Sequence, residues 1–166
     1  MDKNINVLKL MENVIFLKKY TLFTGLDTEE LRSIAVICEE LNVKDGDCVV
    51  KEGDAGESMF IVKRGELKII KGKGETAVQL AVIPKNAFFG EMVLFEEGQL
   101  RSANAIAIGD CTLLVLRRDD LLESMKQHPL IAFEFIKMFG QRLSMTNEQL
   151  RETREKLFAL TREKSK

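Results

Sequence analysis

One short segment, residues 88–103, combines side chains that could together hold a phosphate and a sugar. Gly90 has no side chain, so backbone can approach a ligand closely there. Glu91 offers carboxylate oxygens that accept hydrogen bonds from a pair of sugar hydroxyls. Ten residues further on, Arg101 presents a planar fork of donors that matches two phosphate oxygens, and Ser102 adds a hydroxyl donor. These residue types could together form an anion site with a sugar-binding carboxylate beside it.

The apolar stretch between these two pairs could form one helical turn over residues 92–95, beginning at Met92. The free N–H groups and the positive end of such a turn favour an anion. The same residues also have a purely structural interpretation. Glu91 and Arg101 carry opposite charges and could pair with each other, because ion-pair networks produce similar patterns. Spacing alone leaves both interpretations open.

The sequence GEMVLFEEGQLRSA, which follows Phe89, resembles the phosphate-binding cassette of the cyclic nucleotide-binding domain family. It is especially similar to bacterial sensory domains of the catabolite activator type. The resemblance implies that Glu91 binds the ribose hydroxyl, that Arg101 and Ser102 bind the cyclic phosphate, and that Gly90 and Met92 form the turn around it. It also implies a sensor that binds its ligand reversibly and carries out no reaction on it.

Two details of the cassette bear on the ligand. Arg-Ser rather than Arg-Thr resembles cAMP-binding bacterial domains more than cGMP-selective ones, so cAMP is the expected ligand and cGMP an alternative. Relatives usually have Ala, Ser or Gly two residues after the Gly-Glu pair, and this chain has Val93. A branched side chain there could crowd the phosphate turn. A second hypothesis is therefore a module that has kept the fold for protein partners and lost the ligand.

From residue 41 to residue 116 the apolar pattern changes to period two, which is typical of strands. By itself this pattern indicates a small β-sandwich or barrel, which hosts many functions. The stretch EGDAGESMFIV, with Gly65 beyond it, again resembles the family, whose glycines turn adjoining strands of a jelly roll. The resemblance implies an α+β domain with an eight-stranded antiparallel jelly roll. Ile69 and Leu80 are weaker candidates for its pocket wall. We expect strands at residues 41–44, 48–52, 58–64, 66–71, 76–83, 103–108 and 112–116.

Two helices are expected before the strands. Residues 7–20 carry an apolar stripe at helical spacing, for which core packing is a better explanation than a membrane or partner helix. Asp27 or Thr28 then caps a second helix, with Glu29 and Glu30 in its first turn. The inward positions of the two helices are Val7, Leu10, Met11, Val14 and Leu17, then Leu31, Ile34, Ala35 and Cys38.

A long final helix is predicted from residue 130 to about residue 162, after a short helix that ends near Gln127. His128 precedes a proline and marks the boundary, so we divide the chain into residues 1–128 and 129–166. The apolar residues of the final helix follow a heptad, with Ile136, Leu143, Leu150 and Leu157 at position a and Phe139, Thr146, Thr153 and Leu160 at position d. A seam of this length predicts a homodimer, with one long surface helix on its own barrel as the alternative.

Position Thr146 is polar where the seam calls for an apolar residue, and Asn147 follows it. Polar residues on such seams set register or serve a site. Residues 141–148 resemble the matching helix of catabolite activator-type domains, where a Thr-Ser pair contacts the adenine amino group, one residue from each subunit. The resemblance implies an adenine contact at Thr146 and Asn147, although Asn147 departs from the serine.

Composition limits the other functions. A net charge of −1 over 166 residues gives no electrostatic footprint for nucleic acid, and no run is long enough to cross a bilayer. The lone histidine argues against a cupin-like metal enzyme, and no residues for a helix-turn-helix domain follow the last helix, which argues against a DNA-binding regulator. Cys38, Cys48 and Cys111 are interpreted as small buried residues of a cytoplasmic protein. We expect no metal, no cofactor and no catalysis. The output protein is unknown, and the chain could be a regulatory fragment of a larger protein.

Overall fold

A computed structural model of the protein describes residues 7–94 and 98–163. Its elements are four helices, six strands and three short 3₁₀ turns within these ranges. The helices are α1 (Val7–Lys18), α2 (Thr28–Ile37), α3 (Arg118–Gln127) and α4 (Pro129–Glu163). The strands are β1 (Glu39–Val43), β2 (Cys48–Val50), β3 (Ser58–Lys71), β4 (Val78–Ile83), β5 (Phe88–Phe89) and β6 (Asn104–Arg117). The 3₁₀ turns are Thr21–Phe23, Gly74–Thr76 and Glu91–Leu94.

Two long strands, β3 and β6, form the centre of an antiparallel sheet with the order β1-β6-β3-β4. They pair over nearly their whole length, from Ser58 opposite Arg117 to Ile70 opposite Asn104. At one end β1 adds to β6 and β5 adds to β3, while at the other end β2 adds to β6 and β4 to β3. The short strands therefore extend each half of the central pair into a barrel-like wall.

Strand alternation divides the core in two, because successive side chains point to opposite faces. Met59 and Ile61 of β3 are fully buried against the helices. Their neighbours Phe60 and Val62 point the other way, into a second cluster inside the sheet. The helix-facing cluster also contains Phe23 and Phe135, whose ring centroids lie 6.2 Å apart. The helices thus cover one face of the sheet and leave the other face to enclose an interior.

The α+β jelly-roll class is confirmed, but the expected eight strands are six in the described residues. The predicted strands 58–64 and 66–71 are one strand, β3, which runs through Gly65 with a shift in register. Residues 103–108 and 112–116 likewise join in β6 through Gly109. Both glycines have positive φ, which bends a strand without ending it. The prediction did not include β5, whose two residues are too few to show a period.

The predicted helices are present with small changes at their ends. Asp27 caps α2 in a full capping box. Its carboxylate accepts a hydrogen bond from the Glu30 N–H, and the Glu30 carboxylate accepts one from the Asp27 N–H. Three of the interpretations were wrong in part. Val7 and Met11 of the α1 stripe are exposed, Cys48 is exposed, and Cys38 is only half buried. Helix α1 contacts the core along one face, and the residues of its stripe that lie outside this face stay exposed.

His128 ends α3 as its C-cap, as the proline after it predicts. Helix α4 then runs unbroken for 35 residues, through Gly140. Its first turns pack on the core through Ile131 and Phe135, and every residue from 140 to 158 is exposed. No helix of the described ranges is long and apolar enough to cross a membrane.

The contact at Gly65 gives a stability test. Gly65 has φ +81°, and a Cβ there would lie 2.6 Å from Cys111 Sγ and 2.9 Å from the Asp110 carbonyl oxygen. Gly46 has φ +80°, but no atom would lie within 4 Å of its Cβ. Gly46→Ala should lose about 1–2 kcal/mol of unfolding free energy from the strained φ alone. Gly65→Ala should lose roughly 1–3 kcal/mol more from the clash. Urea denaturation measures both, and equal losses would contradict the contact.

Candidate functional site

The segment after β5 makes a tight turn against Arg101. Gly90 has φ +77°, a conformation that favours glycine, and a Cβ there would lie 2.6 Å from Arg101 Nη1. The missing side chain therefore lets the guanidinium approach the backbone. The 3₁₀ turn Glu91–Leu94 follows directly, with Glu91, Val93 and Leu94 buried and Met92 exposed. The predicted turn over residues 92–95 is thus shifted by one residue, and Phe95 lies outside the described residues.

Arg101 is the central side chain of this region and is only 8% exposed. Its backbone is fixed by the glycine-rich loop of residues 53–56, which precedes β3. The Arg101 N–H donates to Asp54 O, and the Arg101 carbonyl accepts from Gly53 N, both at 2.9 Å. Its guanidinium donates through Nη1 to Gly90 O at 3.2 Å and through Nη2 to Ser58 O at 2.8 Å. The side chain is therefore held in place by backbone carbonyls.

The charge on Arg101 has no carboxylate within ion-pair distance among residues 7–94 and 98–163. Glu91 does not pair with it, so the structure does not adopt the mutual pairing that the sequence left open. The guanidinium instead lies over the Phe60 ring, 5.6 Å from its centroid. Burial lowers the pKa of Arg101, and the negative charge of Glu91 partly opposes this. A buried cation with only neutral partners is a strong binding group for an anion.

Glu91 pairs with the long helix. Its carboxylate is buried, and Oε1 accepts from Arg142 Nη1 of α4 at 2.6 Å. Arg142 also lies over the Phe88 ring, 5.3 Å from the centroid. Residues 51 positions apart thereby join the turn after β5 to α4. Burial raises the pKa of the nearby Tyr20 phenol, with the charges of Arg142 and Glu91 acting in opposite directions.

These groups surround a cavity of about 170 Å³ inside the sheet. Its polar lining includes Glu91, Arg101 and Ser102, and its apolar lining includes small and aliphatic residues of the strands. The lining residues are Val50, Ile69, Ala81, Ile83, Phe89, Gly90, Glu91, Met92, Val93, Gln99, Leu100, Arg101, Ser102, Ala103, Ala105 and Arg142. A cavity that combines charged and apolar groups suits a ligand that is itself part anion and part flat ring.

The structure brings most of the predicted site residues together. All five cassette residues named from the sequence line this cavity, and so does Ile69. Leu80 does not line it, and it is 57% exposed. The register of β4 explains the difference, because Ile69 pairs with Ala81 while Ile70 pairs with Gln79. Leu80 is the extra residue of a bulge, and its neighbours Ala81 and Ile83 form the wall instead.

Thr146 and Asn147 lie further along α4 and do not line the cavity of this single chain. Both are exposed. The Thr146 hydroxyl donates to the Arg142 carbonyl at 2.9 Å, a bond within the helix. Their roles stay predictions about an assembly of two chains.

The sequence interpretation missed Arg142 and Gly56. Arg142 is at the heptad position next to Leu143, and a cation beside an apolar seam was the available signal. Gly56, in the loop before β3, leaves space for the Arg101 side chain because it has no side chain of its own. A Cβ at Gly56 would lie 2.5 Å from Val93 Cγ1 and 2.8 Å from Arg101 Nε. The departure at Val93 is thus accommodated by a glycine from a different loop.

Residues 40–128, more than half of the chain, match the family model described as "Cyclic nucleotide-binding domain". This chain belongs to that family. The cyclic nucleotide-binding domain is 30% identical over 135 residues to "Cyclic AMP receptor protein" of Thermus thermophilus, a match that covers 81% of this chain and 62% of the relative. It is 32% identical over 119 residues to human "Cyclic nucleotide-gated channel beta-3", covering 70% of this chain and 15% of the channel.

Among solved structures, the domain is similar to Thermus thermophilus Catabolite Activator Protein, with a TM-score of 0.70 and 30% identity over 78% of this chain and 61% of that one. The chain thus spans less than two thirds of the length of these relatives. In the described part of this domain, no three His, Cys, Asp or Glu side chains are grouped so that they could hold a metal ion.

The contacts of Gly56 predict a coupled pair of substitutions. Gly56→Ala should push Val93 and Arg101 out of position and lower the unfolding free energy by roughly 1–3 kcal/mol. Gly56→Ala combined with Val93→Ala removes the nearer clash, so it should lose less than the two single losses added together. Thermal or urea unfolding of the four proteins measures this coupling. Additive losses would show that Gly56 and Val93 do not share this space.

Proposed function

We propose that this domain binds a cyclic nucleotide, with cAMP as its ligand, and reports the binding to another part of the protein or to a partner. The observation that carries the proposal is the buried guanidinium of Arg101, which faces the cavity with backbone carbonyls as its hydrogen-bond partners. A cyclic phosphate supplies the negative charge that this cation lacks. Ser102, which lines the same wall, adds a hydroxyl donor.

The sugar is assigned to Glu91. Because Arg142 contacts Oε1, the second carboxylate oxygen can accept from a ribose hydroxyl. Arg142 orients the carboxylate, since a buried carboxylate needs a cation or hydrogen-bond donors as partners. The base is assigned to the aliphatic side of the cavity, between Val50, Ile69 and Ala81. The proposed role is reversible binding without catalysis, and the proposed location is the cytoplasm.

Titration with cAMP and cGMP, read out by thermal unfolding, tests this function. A specific ligand at a hundredfold excess over its Kd should stabilise the fold by about 2.7 kcal/mol. The effect of cAMP should exceed that of cGMP at equal concentration, and 5′-AMP should have little effect. No stabilisation by any cyclic nucleotide would support the second hypothesis, a module in which Val93 has closed the site and the fold serves protein partners.

Arg101 should be the main affinity residue. Arg101→Ala removes the only buried cation proposed to meet the phosphate, at a cost of roughly 3–5 kcal/mol in binding, or about two to four decades in Kd. Arg101→Lys should recover only part of this binding energy, because an ammonium group cannot make the two parallel hydrogen bonds that a guanidinium makes with a phosphate. The matched control is Arg64→Ala, an exposed arginine on β3 away from the cavity. Calorimetry with cAMP measures all three, and unchanged binding by Arg101→Ala would refute the phosphate assignment.

We further propose that two copies pair through α4. The position-a residues Ile136, Leu143, Leu150 and Leu157 are 56–66% exposed, a row of aliphatic side chains along one face. Leu160 at position d is also exposed, while Phe139 packs partly on the domain's own core. A soluble helix that leaves such a row in water is expected to cover it with another helix.

Asp at both Leu143 and Leu150 should give a folded monomer, because buried carboxylates on the seam oppose pairing. The matched control is Asp at Met145, a residue of α4 that is equally exposed but lies off the seam. Sedimentation at tens of micromolar protein separates the two states. A wild-type monomer, with and without cAMP, would contradict the dimer.

Base selectivity is assigned to Thr146 and Asn147, one from each copy, because phosphate and ribose contacts cannot distinguish adenine from guanine. Pairing of the two α4 helices would bring these exposed residues toward the cavities. Their polar groups can donate to and accept from an adenine edge.

Thr146→Val keeps the shape of the side chain and removes its hydroxyl. It should weaken cAMP binding by roughly 1–3 kcal/mol, narrow the preference over cGMP, and leave the dimer intact. Competition binding with both nucleotides gives the two values. If affinity and selectivity both stay at the wild-type level, Thr146 serves only the helix register.

A further inference from the structure

A second concave surface lies away from the nucleotide cavity, between α2 and α3. On α2 its lining residues are Glu29, Arg32, Ser33, Val36 and Ile37. This spacing of three, four, seven and eight residues is one continuous stripe along a helix. The stripe faces outward from the domain core, since Leu31, Ile34 and Ala35 are the buried residues of α2.

Helix α3 contributes the same pattern. Its lining residues are Asp120, Glu123, Ser124, Gln127 and His128, again spaced by three, four, seven and eight. The two stripes enclose a trough of about 430 Å³ that shares no residue with the nucleotide cavity. Two neighbouring helices with a trough between them form a surface on which a third helix can pack.

The floor of the trough is narrow and small. Ser33 Oγ and Ser124 Oγ lie 2.5 Å apart and hydrogen-bond to each other, so the two helices approach closely at these positions. Beside them Val36 is 42% exposed, and Ile37 is only half buried. An occupant can therefore place apolar side chains on Val36 and Ile37 without meeting an unsatisfied hydroxyl.

The rim of the trough is acidic. Three carboxylates, Glu29, Asp120 and Glu123, stand against one guanidinium, Arg32. Glu123 is engaged by Lys126 at 3.2 Å and by Gln127. Within the described ranges, Glu29, Asp120 and Arg32 have no ion pair, so two unpaired carboxylates stand against one unpaired guanidinium. This net negative charge, in a trough that also contains Val36 and Ile37, favours an occupant that carries cations and apolar groups together.

We propose that this trough is a docking site for a basic amphipathic helix of a partner protein. The apolar stripe of that helix covers Val36 and Ile37, and its Lys or Arg side chains meet Glu29 and Asp120. A second copy of the same trough is a poor occupant, because face-to-face pairing of two troughs would bring like charges together. Since α3 joins β6 to α4, the site adjoins the helix that carries Arg142 and gives the domain a surface for an output partner.

Two synthetic peptides test the proposal on the whole chain. Both are 14-residue amphipathic helices with Leu at the same positions; one has Lys and the other Glu at the remaining positions. Backbone amide shifts in ¹H–¹⁵N spectra locate binding. The Lys peptide should shift Ser33, Val36 and Ser124 saturably, and the effect should weaken at high salt. The Glu peptide should bind at least tenfold more weakly.

Val36→Arg places a bulky cation in the trough without altering either helix start, and it should weaken the Lys peptide at least tenfold. The matched control is Val82→Arg on β4, a valine with the same 42% exposure outside the trough, which should stay within twofold of wild type. Both variants should keep the stabilisation by cAMP, which shows that they are folded. Glu29→Lys with Asp120→Lys should also weaken the peptide tenfold.

Four results would each overturn the proposal. The first is peptide-induced shifts confined to the α4 seam around Leu143 and Leu150. The second is equal binding of the Lys and Glu peptides, and the third is unchanged binding by Val36→Arg. The fourth is concentration-dependent shifts in the trough without any peptide, which would assign the surface to a second copy of the chain.

Discussion

The buried guanidinium of Arg101 is the constraint around which the site is arranged. A cation that is 8% exposed needs hydrogen-bond partners, and the fold supplies the carbonyls of Gly90 and Ser58. Each of these contacts constrains the conformation of the chain. Gly90 must lack a side chain, and the start of β3 must turn its carbonyl inward. Gly56 must leave room beside Nε. The glycine-rich loop, the turn after β5 and the beginning of β3 are thereby fixed relative to one another.

The same arrangement gives the helix α4 a connection to the cavity. Arg142 reaches Glu91 from an exposed stretch of α4, and its ring contact with Phe88 adds a second attachment to the same turn. Before Arg142, α4 is buried through Phe135 and Met138, and every residue from 143 to 158 is exposed. In the proposed function, a ligand that changes the position of Glu91 would therefore act on α4 through its ion pair with Arg142.

Local features of the cassette could be predicted from the sequence, because Gly90, Glu91, Arg101 and Ser102 are close in the chain and their residue types define their chemistry. Partners from distant segments could not. Arg142 meets Glu91 only because α4 crosses the end of the sheet, and Gly56 meets Val93 only because a loop before β3 folds back on the turn. Leu80 shows a further limit, since the register of β4 against β3, which places Ala81 opposite Ile69, decides which face of β4 lines the cavity. Glycines within β3 and β6 indicated turns, although here they bend continuous strands.

The position of Arg142 also relates the proposed ligand to the proposed dimer. Arg142 precedes Leu143, a seam residue, and its carbonyl accepts from Thr146 one turn later. The group that orients Glu91 is therefore on the helix whose next face would meet a second copy. If binding and pairing share this helix, each must strengthen the other by the same factor, because coupling free energy is reciprocal. A sensor built this way needs no large rearrangement of the sheet. In the proposed function, the barrel would hold the phosphate, and the equilibrium that responds would be the orientation of α4.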